Sequence, residues 1–333
     1  MSIPQITVAG NQVGRIGYGL MQLTWNPKLP AEEVSIKAIK AAADAGSTIW
    51  SSAAFYGNPG DNFANIQLIA NFFKKYPEYK DKITLVIKGG VDYQNLSTKG
   101  TDLDFLRTEI KKIKEILGDK EIDVFNLARL PEAPIEEIFK GLVTLQKEGL
   151  FREIGASEMG VESLEKALKI TPIAINEIEV SLFSISDPKI KETVEWASKK
   201  GMPIFCYSPL GRGFLTRAFK SPEDLPEGDF RRMVPRFQGE AFYENLKFVD
   251  KLDEIAKAKG ITTGQLALAW ILHLSPTTIP IPGSSNPDRI KENISAANVK
   301  FSSDELKTID DFLAKFEVQG TRYPGAALTQ LMK

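Results

Sequence analysis

The chain has 333 residues, 43% apolar and 26% charged, which fits a globular chain with a large core: two average domains or one large α/β barrel. A net charge of −1 with no long basic run argues against a nucleic-acid or membrane partner, and one cysteine with one histidine excludes an internal disulfide and a multi-histidine metal centre, so no metal is expected. No basic segment followed by an apolar stretch opens the chain, and a cytoplasmic setting is expected.

Residues 4–15 read as a β-hairpin turning at Ala9-Gly10-Asn11. Residues 16–20 read as a short glycine-rich strand. A helix is expected from Pro30 to Gly46, with Val34, Ala38, Ala41, Ala42 and Ala45 on one face. Strands are then expected at 48–52, 83–88, 122–127, 153–157, 173–178, 203–207 and 278–281, each followed by a stretch of helical period. The stretch after 83–88 shows it well: Leu103, Leu106, Ile110, Ile113 and Leu117 recur at three- and four-residue steps. Alternation of this kind demands parallel strands with right-handed crossovers. Eight such units without a break in composition predict an α/β fold, a (β/α)8 TIM barrel forming one domain over residues 1–333. The expected departures are the N-terminal β-hairpin, a long polar loop at 211–240 after strand seven, and a C-terminal tail with a helix near 304–316. Both late segments are expected over one mouth of the barrel. An open doubly wound sheet is the competing fold. It would carry a dinucleotide fingerprint, and the stretches starting at Gly17 and Gly211 both lack the third glycine.

Two residues draw attention on chemical grounds. Tyr56 follows the strand at 48–52, just before the break at Asn58-Pro59-Gly60. A free tyrosine has a pKa near 10 and is a poor acid at neutral pH, so it needs a cation beside it. Lys88 ends the next apolar run and is the candidate cation; a buried lysine at a strand end is unusual without a task.

The residues at the expected strand ends form a set that resembles the aldo-keto reductases. Its most specific pieces are Tyr207-Ser-Pro-Leu-Gly-Arg-Gly-Phe-Leu-Thr and Ile281-Pro-Gly-Ser-Ser-Asn-Pro-Asp-Arg-Ile-Lys-Glu-Asn. Within that family the chain looks closest to fungal pyridoxal reductases, through Gly19-Leu-Met-Gln-Leu-Thr-Trp25, Glu179-Val-Ser-Leu-Phe183 and Glu227-Gly-Asp-Phe-Arg231. The resemblance implies a (β/α)8 barrel that reduces a small aldehyde to its alcohol with NADPH, pyridoxal being the leading substrate. It implies an Asp-Tyr-Lys-His tetrad, of which this sequence keeps Tyr56 as proton donor and Lys88. Ser51 stands at the aspartate position and Ala128, before Arg129, at the histidine position. Trp25, Ala128 and Arg129 are expected in the substrate pocket. The residues the resemblance assigns to the cofactor are Met21, Ser51, Ser157, Glu177, Tyr207, Ser208, Leu210, Gly211, Arg212, Gly283, Ser284, Arg289, Glu292 and Asn293. Tyr207 would stack on the nicotinamide, and Arg212, Ser284 and Arg289 would hold phosphates. The family's Ser-Asn pair after strand five is Ser157-Glu158 here, and its glutamine after strand six is Glu177. A second function stands beside the first. The two tetrad departures fit an NADP(H)-binding sensor or regulatory protein with weak turnover.

Other signals have plainer readings. His273 reads as a packed or rim histidine and Cys206 as inert core. A Ser157-Asp187-His273 hydrolase order fails because Met159 replaces the last glycine of G-x-S-x-G.

Overall fold

In the computed structural model, which describes residues 3–58, 60–92, 94 and 97–333, β1 (Gln5–Val8) and β2 (Asn11–Gly14) pair antiparallel as the expected hairpin. Pro59 of the expected break lies outside the described residues. The barrel strands follow: β3 (Tyr18–Gly19), β4 (Ile49–Ala53), β5 (Thr84–Gly89), β6 (Val124–Leu127), β7 (Glu153–Ile154), β8 (Ala156–Ser157), β9 (Asn176–Glu179), β10 (Ile204–Tyr207) and β11 (Thr278–Pro280). All adjacent pairs among them are parallel, in the orders β3-β4-β5-β6-β7 and β8-β9-β10-β11. Backbone bonds join the two runs into a cylinder. Gly155, between β7 and β8, donates to Phe125 O, and on the far side Gly17 and Gly19 donate to Pro280 O and Pro282 O.

Between the two pieces of strand five, at Gly155, the packing requires glycine. A Cβ there would lie 2.9 Å from Val124 Cγ1 and 3.1 Å from Ile175 Cγ1, so neighbouring side chains already fill its place.

Strand parity sorts the side chains. Ile49, Val86, Val124, Ile175, Phe205, Ile279 and Ile281 form one buried cluster inside the barrel, with Val8 and Val13 of the hairpin closing it. Alternate strand residues share a face. Two residues further on, therefore, Ser51, Lys88, Asn126, Glu177 and Tyr207 also point inward, toward the C-terminal mouth.

The outward residues, such as Trp50, Leu85, Ile87 and Ile178, pack under the helices. These are α1 (Glu32–Asp44), α2 (Ala64–Lys75), α3 (Leu103–Leu117), α4 (Ile135–Lys147), α5 (Val161–Leu168), α6 (Pro188–Lys200), α7 (Gly239–Lys259), α8 (Thr263–Leu274), α9 (Pro287–Ser295) and α10 (Ser303–Leu313). Local signals set their ends. Asp102 caps α3 by accepting from Phe105 N, and Thr262 with Gln265 forms a capping box on α8. Trp50, stacked on Phe73 of α2 at 5.8 Å, is fully buried. Burying a large apolar side chain of this kind stabilises by roughly 1.5–3 kcal/mol.

Two expectations need correction. The segment at 211–240 is not a polar loop. It forms four 3-10 turns and buries Phe214, Leu215, Phe219, Leu225, Val234 and Phe237, the aromatic rings packing against Phe183 and Phe242. Strand six runs over Asn176–Glu179, later than residues 173–178, which brings Glu179 into it. The C-terminal tail does lie over the mouth. Phe312 and Phe316 pack on Phe248 of α7, and the chain then returns to the ends of β8, β9 and β10. Among the described residues no helix is long and apolar enough to cross a membrane.

Candidate active site

Tyr56 is fixed through its backbone. Its carbonyl accepts from the Thr24 hydroxyl (2.8 Å) and from Asn65 N (3.1 Å). Asn65 is buried, and its amide donates to Leu20 O and Thr24 Oγ1 while Ser52 donates to its carbonyl. The loop after β4 is thereby tied to the turn after β3. Trp25 lies against Tyr56 and Phe55, with ring centroids 5.9 Å apart in both cases.

Lys88 Nζ lies 5.2 Å from the centre of the Tyr56 ring. It donates to Ser51 Oγ at 2.7 Å and to the two oxygens of Glu177 at 2.9 and 3.1 Å. Ser51 in turn donates to Glu177 Oε2 at 2.8 Å. Lys88, Ser51 and Glu177 are each at most 4% exposed. Ser51 thus supplies no charge to Lys88; Glu177, from the other side of the barrel, does.

These surroundings set the protonation states. Burial opposes the charge of Lys88, but Glu177 and Tyr56 outweigh it and hold the lysine above its usual range. Burial pushes the Tyr56 hydroxyl up, Lys88 pulls it down, and Glu177 adds to the rise; Arg129 pulls it down as well. The net direction is upward. The lowering by Lys88 expected from sequence is present but outweighed.

Ala128 is buried at the end of β6 and offers no side-chain donor. Arg129 follows it, half-buried, and donates to Ala128 O; burial opposes its charge, which Tyr207, Tyr323, Glu158 and Tyr56 help to retain. Ser157 closes β8 and donates weakly to Ala128 O at 3.4 Å.

Beyond β10 the expected cofactor residues meet the tail. Tyr207 donates to Glu158 Oε1 at 2.6 Å and lies 3.1 Å from the Tyr323 hydroxyl. Arg212 pairs with Glu179 at 3.3 Å and stacks on the Tyr323 ring at 4.4 Å. Arg322 lies 3.4 Å from Glu179 and 3.8 Å from Glu158. Glu158, Ser208 and Arg212, none of them glycine, have left-handed backbone, a concentration of strain at the mouth, and Gly211 joins them with φ +57°. Leu210 is half-buried between them. From sequence, Glu158 stands out as a departure from the family's Ser-Asn pair; Glu179, Arg322 and Tyr323 were absent from the expected site. Glu179 was detectable: Asn176-Glu177-Ile178-Glu179 places a second carboxylate on the face of Glu177 in a buried strand.

A third group surrounds the start of α9. Gly283 and buried Ser284 precede its cap, Asn286, which accepts from Asp288 N and Arg289 N. Arg289 is exposed. Glu292 accepts from the Thr262 hydroxyl, and Asn293 is buried. A groove of about 270 Å³ lies next to this group, lined by Gln22, Asn26, Lys28, Leu29, Pro30 and Ser285. Met21 is exposed on the turn after β3. Asn286 already takes the Asp288 and Arg289 amides, so buried Ser284 and exposed Arg289 are the groups here that suit a phosphate. Arg212 also keeps a buried Nη1 without a partner among the described residues. These donors fit an anionic dinucleotide. His273 is exposed on the last turn of α8, away from the packed state, and Cys206 is buried.

Comparison with known proteins decides the kinship. Residues 15–314 match the model of the aldo/keto reductase family. The chain belongs to that family. It is 37% identical to the NADP(+) aldo-keto reductase yakc of Schizosaccharomyces pombe, over 98% of this chain and 96% of the relative. It is 34% identical to the probable pyridoxal reductase 2 of the same yeast, over 95% and 96%, and 32% identical to a putative pyridoxal reductase of Saccharomyces cerevisiae, over 92% and 95%. A glycerol dehydrogenase structure from Gluconobacter oxydans superposes with a TM-score of 0.82 at 22% identity, over 96% of this chain and 98% of the other. That likeness establishes the barrel fold. The protein is an oxidoreductase of the aldo/keto reductase family.

Proposed function

We propose that the protein reduces a small aldehyde to its alcohol with NADPH, pyridoxal to pyridoxine being the leading reaction, and that Tyr56 is the proton donor. The observation that carries this is the placement of Tyr56 beside a charged, buried Lys88 at the barrel mouth. Both are held protonated through neutral pH by their surroundings. NADPH, when bound, supplies the hydride to the carbonyl carbon. Negative charge then develops on the carbonyl oxygen, and Tyr56 gives it a proton. Lys88 stabilises the tyrosinate that remains. Trp25, against Tyr56, forms a wall for a substrate ring. Ser284 and Arg289, beside the start of α9, would hold phosphate, in keeping with the relative named for NADP(+) and with a Klebsiella pneumoniae aldo-keto reductase solved with NADPH. The two yeast relatives named as pyridoxal reductases support the substrate. The sensor reading drew on Ser51 and Ala128; Glu177 weakens the part that rests on Ser51.

The test is loss of nicotinamide absorbance on mixing protein, NADPH and pyridoxal. Tyr56→Phe should abolish turnover while leaving NADPH affinity nearly intact. Full turnover in that variant would place the acid elsewhere.

A further inference from the structure

We infer that Glu177 is the positioning carboxylate of this reaction centre: it keeps Lys88 charged and directed at Tyr56, a task for which Ser51 has no acid. The inference rests on the reading of Tyr56 as proton donor.

The geometry is specific. Glu177 takes two contacts from Lys88 Nζ, at 2.9 and 3.1 Å, and one from Ser51, at 2.8 Å. Ser51 both accepts from Lys88 and donates to Glu177, so it relays between the two charges. A buried ammonium without a partner tends to lose its proton. Around this pair stand Tyr56 on the loop after β4, Arg129 after β6 and the neutral Ser51 on β4. Glu177 is the carboxylate in direct contact with Lys88, and it raises the proton affinity of Lys88 and of Tyr56 together. Its removal should lower both.

The same charge can be returned from another strand. Ser51 Oγ already lies 2.7 Å from Lys88 Nζ, so an aspartate at 51 would put a carboxylate at the ammonium from the neighbouring strand.

The experiment compares wild type, Glu177→Gln and the double variant Ser51→Asp/Glu177→Gln, with folding followed by circular dichroism. The first readout needs neither substrate nor cofactor. Tyr56 ionisation is taken as the difference in tyrosinate absorbance between each protein and its own Tyr56→Phe counterpart. The second is the basic limb of kcat/KM for pyridoxal. In Glu177→Gln both midpoints should fall by about one pH unit or more, and in the double variant both should return to the wild-type position. An unmoved midpoint in Glu177→Gln, or a double variant that keeps the shift, overturns the inference. Should Glu177→Gln fail to fold, the double variant against wild type decides: matching midpoints support the inference and displaced ones overturn it. A wild type inert toward pyridoxal would remove the proposed reaction, while the titration would still decide the role of Glu177.

Discussion

Lys88 Nζ sits 2.9 Å from Glu177 Oε1, although the two residues are 89 positions apart in the chain. The barrel brings β5 and β9 to face each other across its interior, so a charge missing from one strand is met from the opposite wall. Four consequences are open to measurement.

The first is the pH profile of the unaltered enzyme. Tyr56 is held above its ordinary 10.0 and Lys88 above its ordinary 10.5. Both therefore keep their protons through neutral and mildly alkaline solution. Aldehyde reduction should show a flat kcat/KM up to about pH 9 and decline only above about 10. The stability linked to Lys88 has the same sign. It is fully present below the unfolded lysine value and is lost as pH rises through the higher folded value. A basic limb near neutrality would contradict this arrangement.

The second concerns stability. Lys88→Met would leave the Glu177 carboxyl buried, at 4% side-chain exposure, without its cation. Breaking a buried pair by removing one partner typically costs about 3–5 kcal/mol. Denaturant unfolding of Lys88→Met should show a loss in that range, and Lys88→Met/Glu177→Gln should recover part of it. A loss under about 1 kcal/mol would mean that the pair is solvated.

The third concerns cofactor choice. Arg289, in the first turn of α9 and exposed, is the residue we propose to meet a 2′-phosphate. A charged hydrogen bond of this kind contributes about 1.5–3 kcal/mol. NADPH should bind at least about tenfold more tightly than NADH, and Arg289→Ala should erase most of the gap in a fluorescence titration. Equal affinities in the wild type would reject the assignment.

The fourth concerns substrate. Ala128 offers no donor where a hydrogen bond to the carbonyl oxygen would help, a loss typically of about a hundredfold or more. An aldehyde with a neighbouring ring hydroxyl, as in pyridoxal, can supply that donor itself. Salicylaldehyde should then exceed benzaldehyde in kcat/KM by about tenfold, about 1.4 kcal/mol, and pyridoxal should lose as much without its 3-hydroxyl. Similar values with and without the hydroxyl would discard substrate assistance.

Much of the barrel was legible because it is written in period. Leu103, Leu106, Ile110, Ile113 and Leu117 mark α3 within a few residues, and the apolar runs mark the strands. The segment at 211–240 was misread because its buried phenylalanines follow no single period; Phe214 and Phe237, from two different 3-10 turns, and Phe219 between turns meet in a shared cluster. Tyr56 and Lys88 stood out as unusual residues at strand ends. The partner of Lys88 did not, since ion pairing across a barrel leaves no local trace: resemblance assigned Glu177 to a cofactor, and three-dimensional closure brought it to the lysine. Arg322 and Tyr323 were invisible for the same reason, lying in a tail whose path depends on everything before it.

That tail has a fulcrum. Gly320 has φ +79°, and one methyl group there would lie 2.7 Å from the backbone nitrogen of Arg236. Two and three residues further, Arg322 and Tyr323 enter the network of Glu158, Glu179 and Tyr207. Gly320→Ala, a change at an exposed position with no functional group, should therefore pry the tail from the mouth and alter NADPH affinity while the melting transition of the barrel stays in place. A screen for harmful variants that weighs only chemistry-bearing side chains would pass over it. The genetic reach of the site would then extend to a residue whose side chain is a single hydrogen atom.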